Sequence, residues 1–327
     1  MKKKRALSGI QPSGKLHLGN LIGALSNWVK LQDDYECYFF IADLHALTTG
    51  YADTDKLKEN ILDVAIDMLS AGLDPERSKL FIQSDIPEHS ELHLMFSMIT
   101  PLSWLERIPT YKGQIEELKE KDLGTYGFLG YPVLQAADIL IYKADVVPVG
   151  QDQLPHLELT REIARRFNNF YGEIFPLPRD LLTKVPVLPG LDGRKMSKSY
   201  GNTIAISDPP KVIAKKISEA VTDPARVKKD DKGHPDICTI FSYHKIFNDA
   251  QVKQIYADCT SAKIGCVECK KMIAAKLSDH LAPIYEKRKS LENKKDYVRQ
   301  VFAEGAKKAQ ALARQTLQEA KSAMGIM

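Results

Sequence analysis

Ser8-Gly-Ile-Gln-Pro-Ser-Gly-Lys-Leu-His-Leu-Gly-Asn20 joins a short apolar run to a helix through two glycines and a proline. Leu7 to Ile10 is apolar enough for a strand, and Pro12 with Gly14 ends regular pairing. Leu21, Ile22, Leu25, Trp28, Val29 and Leu31 then recur at helical spacing, which puts Gly19 and Asn20 at the helix start. Unpaired N–H groups and partial positive charge collect there, glycine lets a ligand approach the backbone, and His17 and Asn20 add side-chain donors. The turn reads as phosphate-facing. It carries neither G-x-G-x-x-G nor G-x-x-x-x-G-K-[ST], and strand-to-helix turns rich in glycine are common, so alone it is weak evidence. A second stretch, Asp192-Gly-Arg-Lys-Met-Ser-Lys-Ser199, is flexible, basic and rich in hydroxyls; the pair is more specific than either half.

Around the turn, strands and helices alternate. Cys37-Tyr-Phe-Phe-Ile-Ala42 and Lys79-Leu-Phe-Ile-Gln83 are continuous apolar runs, the pattern of strands buried on both faces. Between them Leu57, Ile61, Val64, Ala65, Met68 and Leu69 mark a helix that Gly72 stops. This order implies a parallel sheet with ligands bound outside the carboxyl ends of its strands. Ile139-Leu-Ile-Tyr142 and Asp145-Val-Val-Pro-Val149 supply further strand material, and a helix over 157–167 carries Arg161, Arg165 and Arg166. Pro176, Pro178, Pro186 and Pro189 punctuate an irregular segment over 172–190, a hinge or linker, and beyond Pro210 almost everything reads as helix. The expected fold is α/β: a Rossmann-like doubly wound parallel sheet over 1–188, a mobile loop over 189–204, and a C-terminal helical domain over 205–327 whose last helix is a candidate to pack back on the first domain.

With 327 residues, 44% hydrophobic and 27% charged, the composition is that of a soluble globular protein, and no apolar stretch is long enough to span a bilayer. Ser8, Gly9, Gln11 and Pro12 leave no apolar core for a signal peptide behind the basic start, so a cytoplasmic location is expected. A net charge of +4 permits a polyanionic partner without requiring one.

The stretches ending at Asn20 and Ser199 resemble the two nucleotide-binding motifs of class I aminoacyl-tRNA synthetases. Gly9-Ile-Gln-Pro-Ser-Gly14, Tyr131-Pro-Val-Leu-Gln-Ala-Ala-Asp138, Val147-Pro-Val-Gly-Gln-Asp-Gln153 and Glu158-Leu-Thr-Arg161 narrow the resemblance to the tryptophanyl-tRNA synthetases. That resemblance implies activation of tryptophan by ATP with Mg²⁺, transfer to tRNA(Trp), and a homodimer. Displacement at a phosphate needs positioning and charge neutralisation more than a covalent catalyst, which suits Lys195 and Lys198 on a mobile loop, with His17 and Asn20 opposite.

For ATP, the resemblance further implicates Gln11, Ser13, Ser197 and Ser199, with Gly150 and Asp152 near the ribose and Gly19 and Met196 near the adenine. Tryptophan offers a large apolar surface and one indole N–H, so its pocket needs apolar walls and one acceptor. Asp138 is the expected acceptor; by similarity Leu7, Val147 and Val149 are walls, Tyr131, Gln135 and Gln153 surround the amino group and ring, His45 lies nearby, and Gln11 meets the carboxylate. The nearest competing family is tyrosyl-tRNA synthetase, which typically places a tyrosine where this chain has Leu7, to bond the substrate phenol. A small-molecule adenylyltransferase and a non-catalytic iron–sulfur RNA-binding relative are more distant alternatives.

Cys37 lies alone in an apolar run, whereas Cys238, Cys259, Cys266 and Cys269 follow one another with twenty, six and two residues between them. Four thiolates can hold Zn²⁺ or an iron–sulfur cluster. One C-x-x-C with two single cysteines departs from the paired arrangement usual for zinc and favours a cluster, and a subset of the resembled family carries [4Fe–4S] on a similar pattern. Lys263, Lys270 and Lys271 place the expected tRNA contact beside it. His89 and His93 lack the H-E-x-x-H order and read as a solvated helix face; His156, His234, His244 and His280 carry no interpretable spacing.

Overall fold

The computed structural model describes residues 3–109, 111, 113, 123–182, 188–228 and 230–326. Strand β1 (Arg5–Ile10) leads into a helical stretch that begins at Leu18–Asn20, loosens into a π-type turn at Leu21–Leu25 and continues as α1 (Ser26–Asp34). Then come β2 (Glu36–Ile41), α2 (Asp43–Gly50), α3 (Leu57–Ser70), β3 (Ser78–Ile82), α4 (Glu88–Ile99), α5 (Tyr126–Leu140), β4 (Val146–Val149), α6 (Leu154–Tyr171) and β5 (Arg179–Leu182). The C-terminal part is helical: α7 (Pro210–Glu219), α8 (Thr239–Phe247), α9 (Val252–Thr260), α10 (Cys266–Glu292) and α11 (Lys295–Ala323). Among the described residues no helix is long and apolar enough to cross a membrane.

The five strands lie in the order β3-β2-β1-β4-β5 and all pair in parallel. This is the doubly wound arrangement: β1 has β2 on one side and β4 on the other, and the chain leaves it in opposite directions. Burial on both faces accounts for the unbroken apolar runs. Cys37, Phe39 and Ile41 of β2 enter one core with Trp28, Val64 and Met68, while Tyr38 and Phe40 enter a second core with Phe81, Leu140 and Phe167. Trp28 stacks on Phe39 with ring centroids 4.7 Å apart.

Two expectations of secondary structure are corrected. Ile139 and Leu140 end helix α5, and Ile141 and Tyr142 form the turn after it; none is in a strand. Leu140 to Tyr142 are fully buried among α4, α6 and the sheet, and a short apolar run reads alike in a buried helix and a buried strand. Conversely the segment over 172–190 contains β5, an edge strand whose Arg179 and Asp180 are exposed and therefore carry no apolar signature.

Helix α11 closes the fold. Its first turns send Val298, Val301 and Phe302 into the core on one face of the sheet, and its later turns send Ala306, Ala309, Ala313 and Leu317 into the other. It therefore passes round the edge at β3, where it covers an otherwise open strand. Gly305 marks the crossing: a Cβ there would fall inside the van der Waals shell of the Leu80 carbonyl, which is backbone and cannot swing away. Gly305→Ala is therefore expected to lower Tm by several degrees, even though alanine favours a helix interior by about 1 kcal/mol over glycine. Calorimetry giving an unchanged or higher Tm would show that α11 and β3 part easily.

Candidate active site

A cavity of about 350 Å³ opens where the carboxyl ends of β1 and β4 diverge. Leu7, Ser8, Gly9 and Gln11 line it from β1 and the turn beyond, and Val147, Val149 and Gly150 from β4 and its end. Helix α5 contributes Tyr131, Gln135 and Asp138, α2 contributes His45, and Gln153 and His156 close it. All nine residues that the sequence assigns to an amino acid pocket, Leu7, Gln11, His45, Tyr131, Gln135, Asp138, Val147, Val149 and Gln153, thus face one space.

Asp138 is 1% exposed and organises the floor. Its Oδ2 accepts from His45 Nε2 at 2.7 Å and its Oδ1 from His89 Nδ1 at 2.6 Å, while Gln83 Nε2 reaches both oxygens at 2.8 and 2.9 Å. Burial alone would raise this carboxyl, but His45 and His89 hold it down to about 2. His89 Nε2 in turn meets the Tyr142 hydroxyl at 2.7 Å. His89 is fully buried, which corrects its reading as part of a solvated face; α4 is enclosed by α5 and α11, and His89 shares a stripe with Leu92 and Phe96. That a histidine interrupts an apolar stripe is the signal the sequence offered. His156 is also buried, 3.3 Å from the Tyr131 hydroxyl, and burial followed by the nearby His45 lowers it to about 4.

The two basic and glycine-rich stretches meet. Leu18 N–H donates to Ile204 O and Ile206 N–H to Leu16 O, both at 2.9 Å, with His17 and Ala205 forming an antiparallel bridge between them. Gly14, at φ +94°, turns its carbonyl toward Lys198, whose Nζ donates to Gly14 O at 2.7 Å and to Ser13 Oγ at 3.1 Å. Burial lowers Lys198 to about 8, against the pull of Asp67 and Asp63. His17 is lowered to about 4 by burial and then by Lys198, so near neutral pH it is an uncharged ring. Asn20 Oδ1 caps the His17 N–H at 3.0 Å, which occupies its acceptor and leaves its amide as donor.

Met196 is buried beside Gly19, whereas Lys195 and Ser199 are exposed and Ser197 is half-buried. Asp152 lies outside the cavity lining, joined to Gln153 at 2.9 Å. The loop is held by Asn202, which accepts from Ser197 N–H at 2.8 Å and donates to Asp192 Oδ1 at 2.7 Å and Lys195 O at 3.0 Å. No motif singled out Asn202; it is 4% exposed and works from just beyond the stretch it braces.

The four C-terminal cysteines are all free. Cys238 caps α8, Cys259 lies in α9, and Cys266 and Cys269 occupy the first turn of α10. Cys269 is pushed up to about 12 by burial and then by the electrostatic influence of Cys238, Cys259 and Cys266, so the four are neighbours. They do not close on a point: among the described residues no three His, Cys, Asp or Glu side chains are gathered tightly enough to hold a metal ion. His244 Nε2 and Arg226 Nη1 stand 3.3 Å and 3.9 Å from Cys269 Sγ and Cys259 Sγ. Lys270, one of the three lysines expected at the tRNA contact, donates to the Ser218 carbonyl near the end of α7 at 2.8 Å.

A parallel sheet in this order, with a cavity at its switch point and a basic loop laced to the first turn, defines a doubly wound α/β protein with a composite ligand site. The sequence model of tRNA synthetases class I (W and Y) matches residues 1–282, and the chain belongs to that family. The tryptophan–tRNA ligase of Thermotoga maritima is 53% identical and that of Aquifex aeolicus 45% identical, each alignment covering at least 98% of both chains. The structure of tryptophanyl-tRNA synthetase from Campylobacter jejuni complexed with ADP and tryptophan superposes with a TM-score of 0.88 at 37% identity, covering 98% of this chain and 99% of that one.

In competitive acylation with acetic anhydride, Lys198 is expected to reach half-maximal reactivity near pH 8, below the 10.5 of an ordinary lysine. An ordinary titration would show that this ammonium is solvated and undocked from Gly14.

Proposed function

We propose that this protein activates L-tryptophan with ATP to tryptophanyl-adenylate and pyrophosphate, and then transfers the tryptophanyl group to tRNA(Trp) in the cytoplasm. The observation that carries the reading is the convergence of apolar walls and one buried, ionised carboxylate, Asp138, on a single cavity beside the Gly14 turn. Leu7, Val147 and Val149 sandwich an indole, and Asp138 accepts its N–H. The carboxylate already takes donors from His45, Gln83 and His89; the indole must share or replace one, and His45 is the donor that lines the cavity. Gln11, Tyr131, Gln135 and Gln153 receive the polar end of the amino acid. Leu7 is 2% exposed and has no polar atom for a phenol, which favours tryptophan over tyrosine.

The tryptophan carboxylate oxygen attacks the α-phosphorus, the bond to the bridging oxygen breaks, and pyrophosphate leaves. Lys198 and Lys195 neutralise the departing charge, with Mg²⁺ entering as part of the nucleotide substrate. His17, uncharged, serves as a hydrogen-bond donor, and the Asn20 amide is a second. Ser13, Ser197 and Ser199 add hydroxyls, Gly19 and Met196 bracket the adenine, and Gly150 with Asp152 receives the ribose. Docking of Lys198 on Gly14 and Ser13 supports the idea that the same ammonium meets phosphate there.

Two further assignments belong to this reading. Cys238, Cys259, Cys266 and Cys269 are the ligands of a [4Fe–4S] cluster, with Zn²⁺ the alternative; what supports a shared ligand set is that Cys269 feels the other three thiols. The cluster would supply a clamp on α8, α9 and α10, near a tRNA contact that includes Lys263, Lys270 and Lys271. The protein works as a homodimer; Leu94 and Met98, exposed one turn apart on α4, are a fitting apolar contact.

ATP–pyrophosphate exchange with each amino acid in turn is expected to depend on tryptophan. Exchange driven by tyrosine, or by none, overturns the assignment. Asp138→Ala removes a hydrogen bond to charge and should lower kcat/KM for tryptophan about 10- to 100-fold; unchanged kinetics would place the indole acceptor elsewhere. Anaerobically purified protein should contain iron and acid-labile sulfide, and stoichiometric zinc in their place would end the cluster assignment.

A further inference from the structure

Helix α3 passes beneath the Ser13–His17 turn and presents Asn60, Asp63 and Asp67 along one side, at spacings of three and four residues. Each meets the site. The Asn60 side chain lies against Gly14, and Asp67 Oδ2 accepts the Leu16 N–H at 2.7 Å. Asp67 and Asp63 are the acidic groups whose charge Lys198 feels. From the other side comes Arg288, near the end of α10 and 2% exposed. Its Nη1 donates to Asp67 Oδ1 and, at 3.1 Å, to Asp63 O; Nη2 donates to Asp63 Oδ1, and Nε to Glu292 Oε1 at 3.0 Å.

Stability does not account for this arrangement. Asp67 has no exposed surface, and a buried ion pair returns little beyond the cost of stripping water from both charges; an apolar pair of similar volume is often as stable or more so. What an apolar pair cannot do is accept the Leu16 N–H with a carboxylate fixed in rotation. One oxygen of Asp67 is committed to Arg288 and the other to Leu16, so the plane of the carboxylate, and with it the backbone between Gly14 and His17, is set from α10.

We infer that Asp67 and Arg288 form a positioning pair for the activation step, through which the C-terminal helix α10 fixes the backbone of the Ser13–His17 turn and the register of Lys198 above it. The inference rests on reading that turn as the ATP site. Neither residue touches the tryptophan cavity, so the pair acts on ATP and leaves tryptophan binding alone. Small misplacements of positioning groups carry large kinetic penalties.

The test is Arg288→Met, Arg288→Lys and Asp67→Asn, each assayed for tryptophan-dependent ATP–pyrophosphate exchange, for tryptophan Kd by calorimetry, and for Tm. Arg288→Met should lower exchange kcat/KM for ATP about 10- to 100-fold, the span set by one hydrogen bond to a charged group, with tryptophan Kd within about twofold of wild type. Arg288→Lys, which keeps the charge but not the fork that fixes the carboxylate, should recover only part of the loss, and Asp67→Asn should repeat it. A folded Arg288→Met protein with ordinary ATP kinetics overturns the proposal. So does parallel loss of ATP and tryptophan binding in step with Tm, or failure of both Arg288→Met and Asp67→Asn to fold, since the pair is then structural. Failure of the underlying reading is seen separately, as wild-type protein without tryptophan-dependent exchange.

Discussion

The placing of β1 between β2 and β4 is the constraint from which the site follows. Parallel neighbours on both sides oblige the crossovers from β1 to diverge, and the divergence leaves a crevice at the carboxyl end that no side chain of the sheet can fill. The glycine turn after β1 and the strand end at Val149 form its two lips, and α5 forms its back wall. A different strand order with the same residues would scatter Leu7, Asp138 and Val149 instead of facing them across one cavity. Topology therefore supplies proximity, and the side chains supply the chemistry.

Two buried carboxylates serve this crevice by the same physics. Asp138 and Asp67 are almost wholly removed from water, and each is tolerable only because donors from distant parts of the chain converge on it: His45, Gln83 and His89 in one case, Leu16 N–H and Arg288 in the other. A desolvated acceptor with its orientation fixed is expensive to build and strongly selective once built. The outcomes differ. At Asp138 the donors win and the carboxyl is held down to about 2; at Asp67 burial outweighs Arg288 and the backbone donor, and the carboxyl is raised to about 6. The first is accordingly an acceptor at any physiological pH, while the second relies on the single guanidinium beside it.

Much of this was legible in the sequence, for identifiable reasons. The strands buried on both faces wrote themselves as unbroken apolar runs, and the glycine turn with its basic partner loop announced a composite site. The apolar walls and Asp138 were reached through family resemblance, not from spacing. What the sequence concealed shares a cause: it depends on contacts between residues far apart. His89 reads as a surface histidine until α5 and the sheet close over it; β5 reads as linker because an edge strand needs no apolar face; Ile139 to Tyr142 reads as a strand because periodicity vanishes when every side is buried. Arg288 and Asp67 are 221 residues apart, and each belongs to an ordinary charged position on its own helix. Asn202 lies outside the motif that it braces.

Helix α11 shows why the C-terminal helical part is not an appendage. Val301 and Phe302 belong to the core that contains Trp28 and Phe39, and Ala309 and Leu317 to the core that contains Phe40 and Phe81, so one helix seals both faces of the sheet and its edge. Helix α10 enters the first core through Ile273, Leu277 and Leu281 before presenting Arg288 to Asp67. Between α10 and α11 the chain thus completes the hydrophobic interior and fixes the turn after β1. A change in how the C-terminal helices sit is then expected to reach Leu16, because Arg288 and the Leu16 N–H share Asp67, a carboxylate that has no water to turn to.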